Sequence, residues 1–238
     1  LFALANNSMA QLSEWFIANR LSLNLEKTCY SIFGTSQKLE TDFKLEMSGK
    51  IIQNVTFCKY LGILIDSELN WQEHINYIYN KLIKFVSIFY KIRTKLPLEV
   101  LKMMYFAFVY SHLLYGIEVY ANTSSNHLSK LAVLNNKLLR ILQHRTIKTR
   151  NIKLYEAYFT LPLHLLHNFR ILLLMHRYVY DRKNLPPAFA TYFEENKLVH
   201  QHNTRQKNDF HICTVHSETG KNVLNIKVVD FGIAYRKK

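Results

Sequence analysis

The chain has 238 residues, 49% of them hydrophobic and 13% aromatic, with only six glycines and four prolines. That content excludes a disordered chain, leaves room for one large domain or two small ones, and argues for long helices over a many-stranded, turn-rich fold. The net charge of +14 is uneven: six Lys/Arg against eight Asp/Glu in residues 1–80 (−2), thirteen against three in 81–160 (+10), twelve against six in 161–238 (+6). A basic middle suits a polyanionic partner or a solvated helical face, and charge alone does not separate the two.

In chain order, "NNSMAQLSEWFIANR" places Met9, Leu12 and Phe16 at helical spacing, with Asn7 or Ser8 as a cap, and predicts a helix to about Asn19. Tyr30, Ile32 and Phe33 look strand-like, and Gly34 ends that run. Phe43, Leu45 and Met47 alternate, turn at Ser48-Gly49 and resume at Ile51, which predicts a hairpin. "CKYLGILID" is expected as a third strand of the same small antiparallel sheet. From Trp71 the period changes. Trp71, Ile75, Ile78, Leu82, Phe85, Phe89 and Ile92 form one face of a long amphipathic helix, with Asn70 as N-cap and Glu73 completing a loose capping box. Pro97 breaks it, a second helix carries Met103–Tyr120, a third runs from about His127 to His144, and a fourth starts near Pro162. After Pro186-Pro187 the pattern fades. The expected fold is therefore α+β: a small antiparallel sheet with one helix over 1–69, a mostly helical bundle over 70–183, and a weakly structured polar tail over 184–238.

Asp66, at the end of an apolar run, reads as a turn or cap residue. Two-metal phosphoryl chemistry needs neighbouring carboxylates, and Asp42, Glu46, Asp66, Glu68 and Glu73 show no such pair; Glu194-Glu195 is the single adjacent pair, in a polar stretch. No metal site is expected. His200, His202, His211, Cys213 and His216 invite zinc, but their spacing matches no closed zinc module. His164, His167 and His176 read as solvated or core-edge residues. There is no Gly-rich phosphate loop, nucleophile elbow or His-Glu-x-x-His. Lys27, beside the sheet, reads either as a proton donor or phosphate partner or as an exposed lysine. The nucleic-acid signal is diffuse: Lys81, Lys84, Lys91, Arg93 and Lys95 share the long helix with Tyr77, Tyr79, Phe89 and Tyr90, and Lys137, Arg140, Arg145, Lys148, Arg150 and Lys153 follow on and after the third helix. Met103–Ala121 approaches the length of a membrane span, but Ser111, His112, Gly116, Glu118 and four tyrosines make it a buried helix instead. Cys29, Cys58 and Cys213 form no framework and no secretory signal is visible, so the expectation is a nuclear or cytoplasmic, not secreted, protein with reduced thiols.

Several blocks in this order and spacing resemble one family. "LSEWFIANRLSLNLEKTCYSIFG" is similar to the segment after the catalytic Asp-Asp hairpin in the reverse transcriptases of non-LTR (LINE-like, jockey-type) retrotransposons, with "LNLEKT" at motif D. "FCKYLGILIDSELNWQEHI" resembles the primer-grip hairpin running into the thumb, and "YSHLLYGIEVYA", "LNNKLLRIL" and "LPPAFATYFEENKLVHQHNTRQKNDFH" resemble later helices and tail. The resemblance implies the end of a polymerase palm followed by a thumb. Lys27 would then assist pyrophosphate departure, Tyr60, Leu61 and Gly62 would place the primer end, and the basic helices (Lys81, Lys84, Lys91, Arg93, Lys95, Lys137, Arg140) would hold an RNA and DNA template–primer duplex. It makes Asp66 structural. It also implies that the palm's metal-binding carboxylates lie upstream of Leu1. The complete polymerase would use Mg²⁺, this chain would hold no cofactor and be inactive alone, and its partner would be the N-terminal polymerase half. After Thr214 the sequence departs from the family pattern. The alternative is a non-enzymatic nucleic-acid-binding remnant of a mobile element.

Overall fold

A computed structural model of the chain describes residues 2–33, 44–189, 193–199, 207 and 209–211, within two compact units, Leu1–His74 and Ile75–Lys238.

The first unit opens with helix α1 (Phe2–Ala18), which starts before the expected cap, so Asn7 and Ser8 lie inside it. Its Ala5, Met9 and Phe16 pack on a core of Leu45, Met47 and Ile52, joined by Leu23, Leu25 and Tyr30. Asn6 ties helix to strand: its Nδ2 donates to Lys44 O at 3.3 Å and its Oδ1 accepts from Glu46 N at 3.1 Å. Among the described residues six short strands follow: β1 (Cys29–Tyr30), β2 (Glu46–Met47), β3 (Lys50–Ile51), β4 (Gln53–Asn54), β5 (Phe57–Tyr60) and β6 (Ile63–Asp66). The hairpin turning at Ser48-Gly49 forms as expected between β2 and β3. The single antiparallel sheet does not. The strands pair as three separate two-stranded ribbons, one of them (β1 with β4) parallel. "CKYLGILID" is not one strand, because Leu61 (φ 46°) and Gly62 (φ 85°) fold it back so that β5 pairs β6. Paired positive φ values twist a two-residue turn to match its strands, and Gly62 tolerates one of them at no steric cost. Alternation within an apolar run cannot report that reversal.

In place of one long helix, α2 (Gln72–Leu82) and α3 (Lys84–Ile92) form a run interrupted at Ile83, where Val86 N reaches back only three residues to Ile83 O. After Pro97 come α4 (Leu98–Tyr105), a π-helical stretch Phe106–Tyr110, α5 (Ser111–Leu114) and α6 (Ile117–Tyr120). The expected continuous helix to Tyr120 is divided at Gly116, whose φ is 69°. Leu101, Tyr105, Val109, Leu113 and Ile117 are all buried at steps of four. An α-helix drifts roughly 40° per four-residue step, and the wider π turn takes up that drift so the same side keeps facing inward. Among the described residues no helix is long and apolar enough to cross a membrane. Then come α7 (Ser125–Leu142), α8 (Asn151–Tyr158), α9 (Leu163–Tyr180) and α10 (Asn196–Val199). Helix α8 was not expected; only a basic stretch was legible there. Of the fourth helix's histidines, His164 and His176 are exposed and His167 is buried. The described part of the expected polar tail is not loose. Phe193 is buried and meets the Tyr178 ring at 4.6 Å, with Phe210 at 5.8 Å, and a bridge joins Glu195 to Phe210. His200, His202, Cys213 and His216 lie outside the described residues, as do Gly34 and Phe43.

Helix α7 is the centre of the second unit, burying Leu131, Leu134, Leu138, Leu139 and Leu142 against its neighbours, with Asn135 among them at 2% exposure. Tyr105 Oη donates to Asn135 Oδ1 at 3.1 Å, Asn135 Nδ2 donates to Tyr155 Oη at 3.4 Å, and Tyr155 Oη donates to Asn136 Oδ1 at 2.6 Å. Burial pushes the Tyr105 hydroxyl well above the usual phenol range and that of Tyr155 up to about 12, so both stay protonated as donors. Tyr105→Phe removes one donor and leaves a buried amide oxygen short of a partner, so urea titration should find a loss of about 1–3 kcal/mol. An unchanged midpoint would mean that Asn135 re-pairs elsewhere.

Candidate nucleic-acid interface

The β5–β6 hairpin presents Tyr60, Leu61 and Gly62 at its tip, with Tyr60 63% and Leu61 72% exposed. Leu61 occupies a left-handed conformation that a branched side chain adopts at a cost, so the tip holds an apolar side chain in solvent on a constrained turn. At the opposite end of the hairpin Asp66 is 7% exposed. Its Oδ1 accepts from Asn70 N at 2.9 Å and its Oδ2 from Trp71 N at 2.7 Å. Between them the chain passes through two left-handed residues, Leu69 (φ 56°) and Trp71 (φ 65°), and the carboxylate holds that loop in shape. The predicted capping box is thereby corrected: the Asn70 N–H that Glu73 was to receive goes to Asp66, while Asn70 Oδ1 does accept from Gln72 N at 2.9 Å. The first turn of α2 also braces the hairpin edge, because His74 Nδ1 accepts from Leu64 N at 3.2 Å.

Lys27 is exposed on a single 3-10 turn, Leu25–Lys27, fixed by Asn24, whose Oδ1 accepts from Lys27 N at 3.2 Å.

The structure separates the basic residues of the second unit into distinct groups. At 3.6 residues per turn, Lys81, Lys84, Lys91 and Lys95 fall within roughly 80° of one another around the α2–α3 run. All four are exposed, on the side away from buried Ile78, Leu82 and Phe89. Tyr77 and Ile88 continue this stripe, and Lys81 Nζ lies 4.5 Å over the Tyr77 ring. His112 adds no charge here: desolvation first, then the nearby Lys81 cation, hold its imidazole below the usual range. Arg93 lies off the stripe, half-buried, with its guanidinium 4.2 Å over Tyr90. Arg140 is engaged internally, its Nη2 donating to Asn151 Oδ1 at 2.6 Å and Thr149 O at 3.4 Å, which ties the loop before α8 to α7. Lys137 lines a groove of about 350 Å³ between α2 and α7 with Tyr79, Ile83, Lys130, Val133 and Leu134. Sequence reading missed Lys130; its signal was the seven-residue spacing to Lys137.

Among the described residues no group of three or more His, Cys, Asp or Glu gathers as a metal site. Asp66, at the end of the hairpin, turns both carboxylate oxygens onto backbone N–H groups.

Two curated relatives match. One is the RNA-directed DNA polymerase from the mobile element jockey of Drosophila funebris, 27% identical over 145 residues, which is 59% of this chain and 16% of that protein. The other, from Drosophila melanogaster under the same name, is 29% identical over 114 residues, 46% of this chain and 12% of that protein. The chain thus spans less than a fifth of the length of these relatives. No family model matches it, and no solved structure matches it. Asp66→Ala removes two acceptors from a loop with two left-handed residues, and chemical denaturation should show a loss of about 2–4 kcal/mol. A variant as stable as the parent would sink the structural assignment of this carboxylate.

Proposed function

We propose that this chain, a relative of the reverse transcriptases of non-LTR retrotransposons of the jockey type, is the end of a polymerase palm and its thumb-side helices, and that it holds a template–primer duplex by its backbone. The observation that carries this reading is the lysine stripe. Four exposed cations, Lys81 on α2, Lys84 and Lys91 on α3 and Lys95 in the turn after it, with no acid between them in sequence, suit a row of phosphates and carry no base preference. Tyr60, Leu61 and Gly62, constrained at a hairpin tip, suit placement of a primer end, and Lys27 suits a proton donor to departing pyrophosphate. In this reading the metal-binding carboxylates and their Mg²⁺ belong to another part of the polymerase, which is the chain's partner. The protein works in the nucleus or cytoplasm, and alone it does not extend a primer.

A second reading is a non-enzymatic nucleic-acid-binding remnant, for which the exposed lysines suffice without any catalytic carboxylate. Both readings require hybrid binding; only the first requires that an added fingers and palm half restore synthesis.

Replacing Lys81, Lys84, Lys91 and Lys95 together by Gln should weaken binding of an RNA–DNA hybrid and lower the slope of log affinity against log salt by about 3–4. An unchanged slope in fluorescence anisotropy rejects the stripe as the duplex contact. In a primer-extension assay with Mg²⁺, the unmodified chain should give no product, and any product overturns the assignment of the carboxylates to another segment.

A further inference from the structure

We infer that the groove between α2 and α7 is a second nucleic-acid site, separate from the lysine stripe, that takes one unpaired nucleotide of a single strand. The inference rests on the reading of this chain as a nucleic-acid-binding protein and adds a ligand class and a place to it.

The groove has the chemistry of a nucleotide turned outward. Its floor is apolar, made by Ile83, Val133 and Leu134 with the Tyr79 ring beside them. Val133, at the middle of α7, is 67% exposed and offers an apolar surface that a flat ring can cover. Two lysines bracket it, Lys130 one turn before and Lys137 one turn after. Lys130 is held in place, its Nζ 4.4 Å over the Tyr79 ring and 3.0 Å from Asn76 Oδ1. No carboxylate lines the groove, and among the described residues neither lysine has an acid within salt-bridge reach. No acid therefore competes with an incoming anion for either lysine. The volume of about 350 Å³ lies at the small end of ligand sites and suits one nucleotide.

A duplex does not satisfy this arrangement, because its base faces are stacked inside and its surface offers the floor only sugar and phosphate. An unstacked base covers the apolar floor while its flanking phosphates meet the two lysines. Tyr79 and Ile83 lie roughly 130° around the helix from the stripe, so a duplex held on the stripe leaves the groove open to a separate strand.

The test is fluorescence anisotropy on the full chain with three probes: a short oligothymidine, the same oligomer carrying abasic sites, and a blunt RNA–DNA hybrid. Val133→Glu, at an exposed position, should weaken oligothymidine binding at least about tenfold and leave hybrid binding unchanged. Lys130→Gln should lower the single-strand salt slope by about 0.7 and leave the hybrid slope unchanged. Abasic oligomer should bind roughly tenfold more weakly than oligothymidine. The inference is overturned by equal binding of abasic and normal oligomers, by Val133→Glu leaving oligothymidine affinity intact, or by either variant weakening hybrid to the same degree. Wild-type protein that binds hybrid but not oligothymidine sinks this inference and leaves the proposed function standing. Protein that binds neither sinks both.

Discussion

A buried amide in the middle of a helix is tolerated only if each of its hydrogen-bonding groups is met. Asn135 is met from two directions, by Tyr105 from α4 and Tyr155 from α8. That geometry sets how α4 and α8 lie on α7, because an apolar core alone accepts many rotations of one helix against another and a directional bond accepts few. Further ties follow along the same helix: Gln143 Nε2 donates to Leu154 O at 2.7 Å, and Arg140 holds the loop before α8. Glu118 and Arg170, paired at 2.6 Å, do the same for α6 and α9. The core of the second unit is apolar in bulk but specified by a few polar contacts.

With one side of the α2–α3 run committed to that core, its other sides are left for charge. The lysine stripe is a consequence of burial: Ile78, Leu82 and Phe89 must face inward, so residues on the far side are free to be cationic without desolvation. The groove arises differently. Two helices that pack along one edge leave a furrow along the other, and its lining is set by whichever residues the crossing brings there. The stripe follows the α2–α3 run, whereas the groove is lined from that run and from α7 together.

Asp66 shows how a functional reading is settled by what a side chain touches. An acid at the end of an apolar strand, four residues before a cap-like Asn, is compatible with catalysis or with a turn. In the folded protein both carboxylate oxygens are turned onto the backbone of the loop that starts α2, and that loop carries two left-handed residues. Both oxygens hold the loop in shape, which is a structural role.

Much of this protein is determined locally and is legible along the chain. Steps of three and four residues from Trp71 onward reflect helices that each bury one face, and the helical faces of α2, α3, α7 and α9 follow from them. The Ser48-Gly49 turn follows from residues that accept positive φ, and the basic middle follows from counting. The blocks that resemble a reverse transcriptase are also local, and partial identity to the jockey polymerases agrees with them. What the tertiary structure decided is pairing. Strand partners, including the parallel β1–β4 ribbon and the fold-back at Leu61-Gly62, depend on contacts between distant residues, and alternation of apolar positions is the same whichever partner is chosen. The π-helical stretch appears only because five buried positions must all face one core. Arg140 and Lys137 are equally basic in sequence, yet one binds a loop and the other lines a groove, because the position of neighbouring helices, not residue type, determines what a cation can reach.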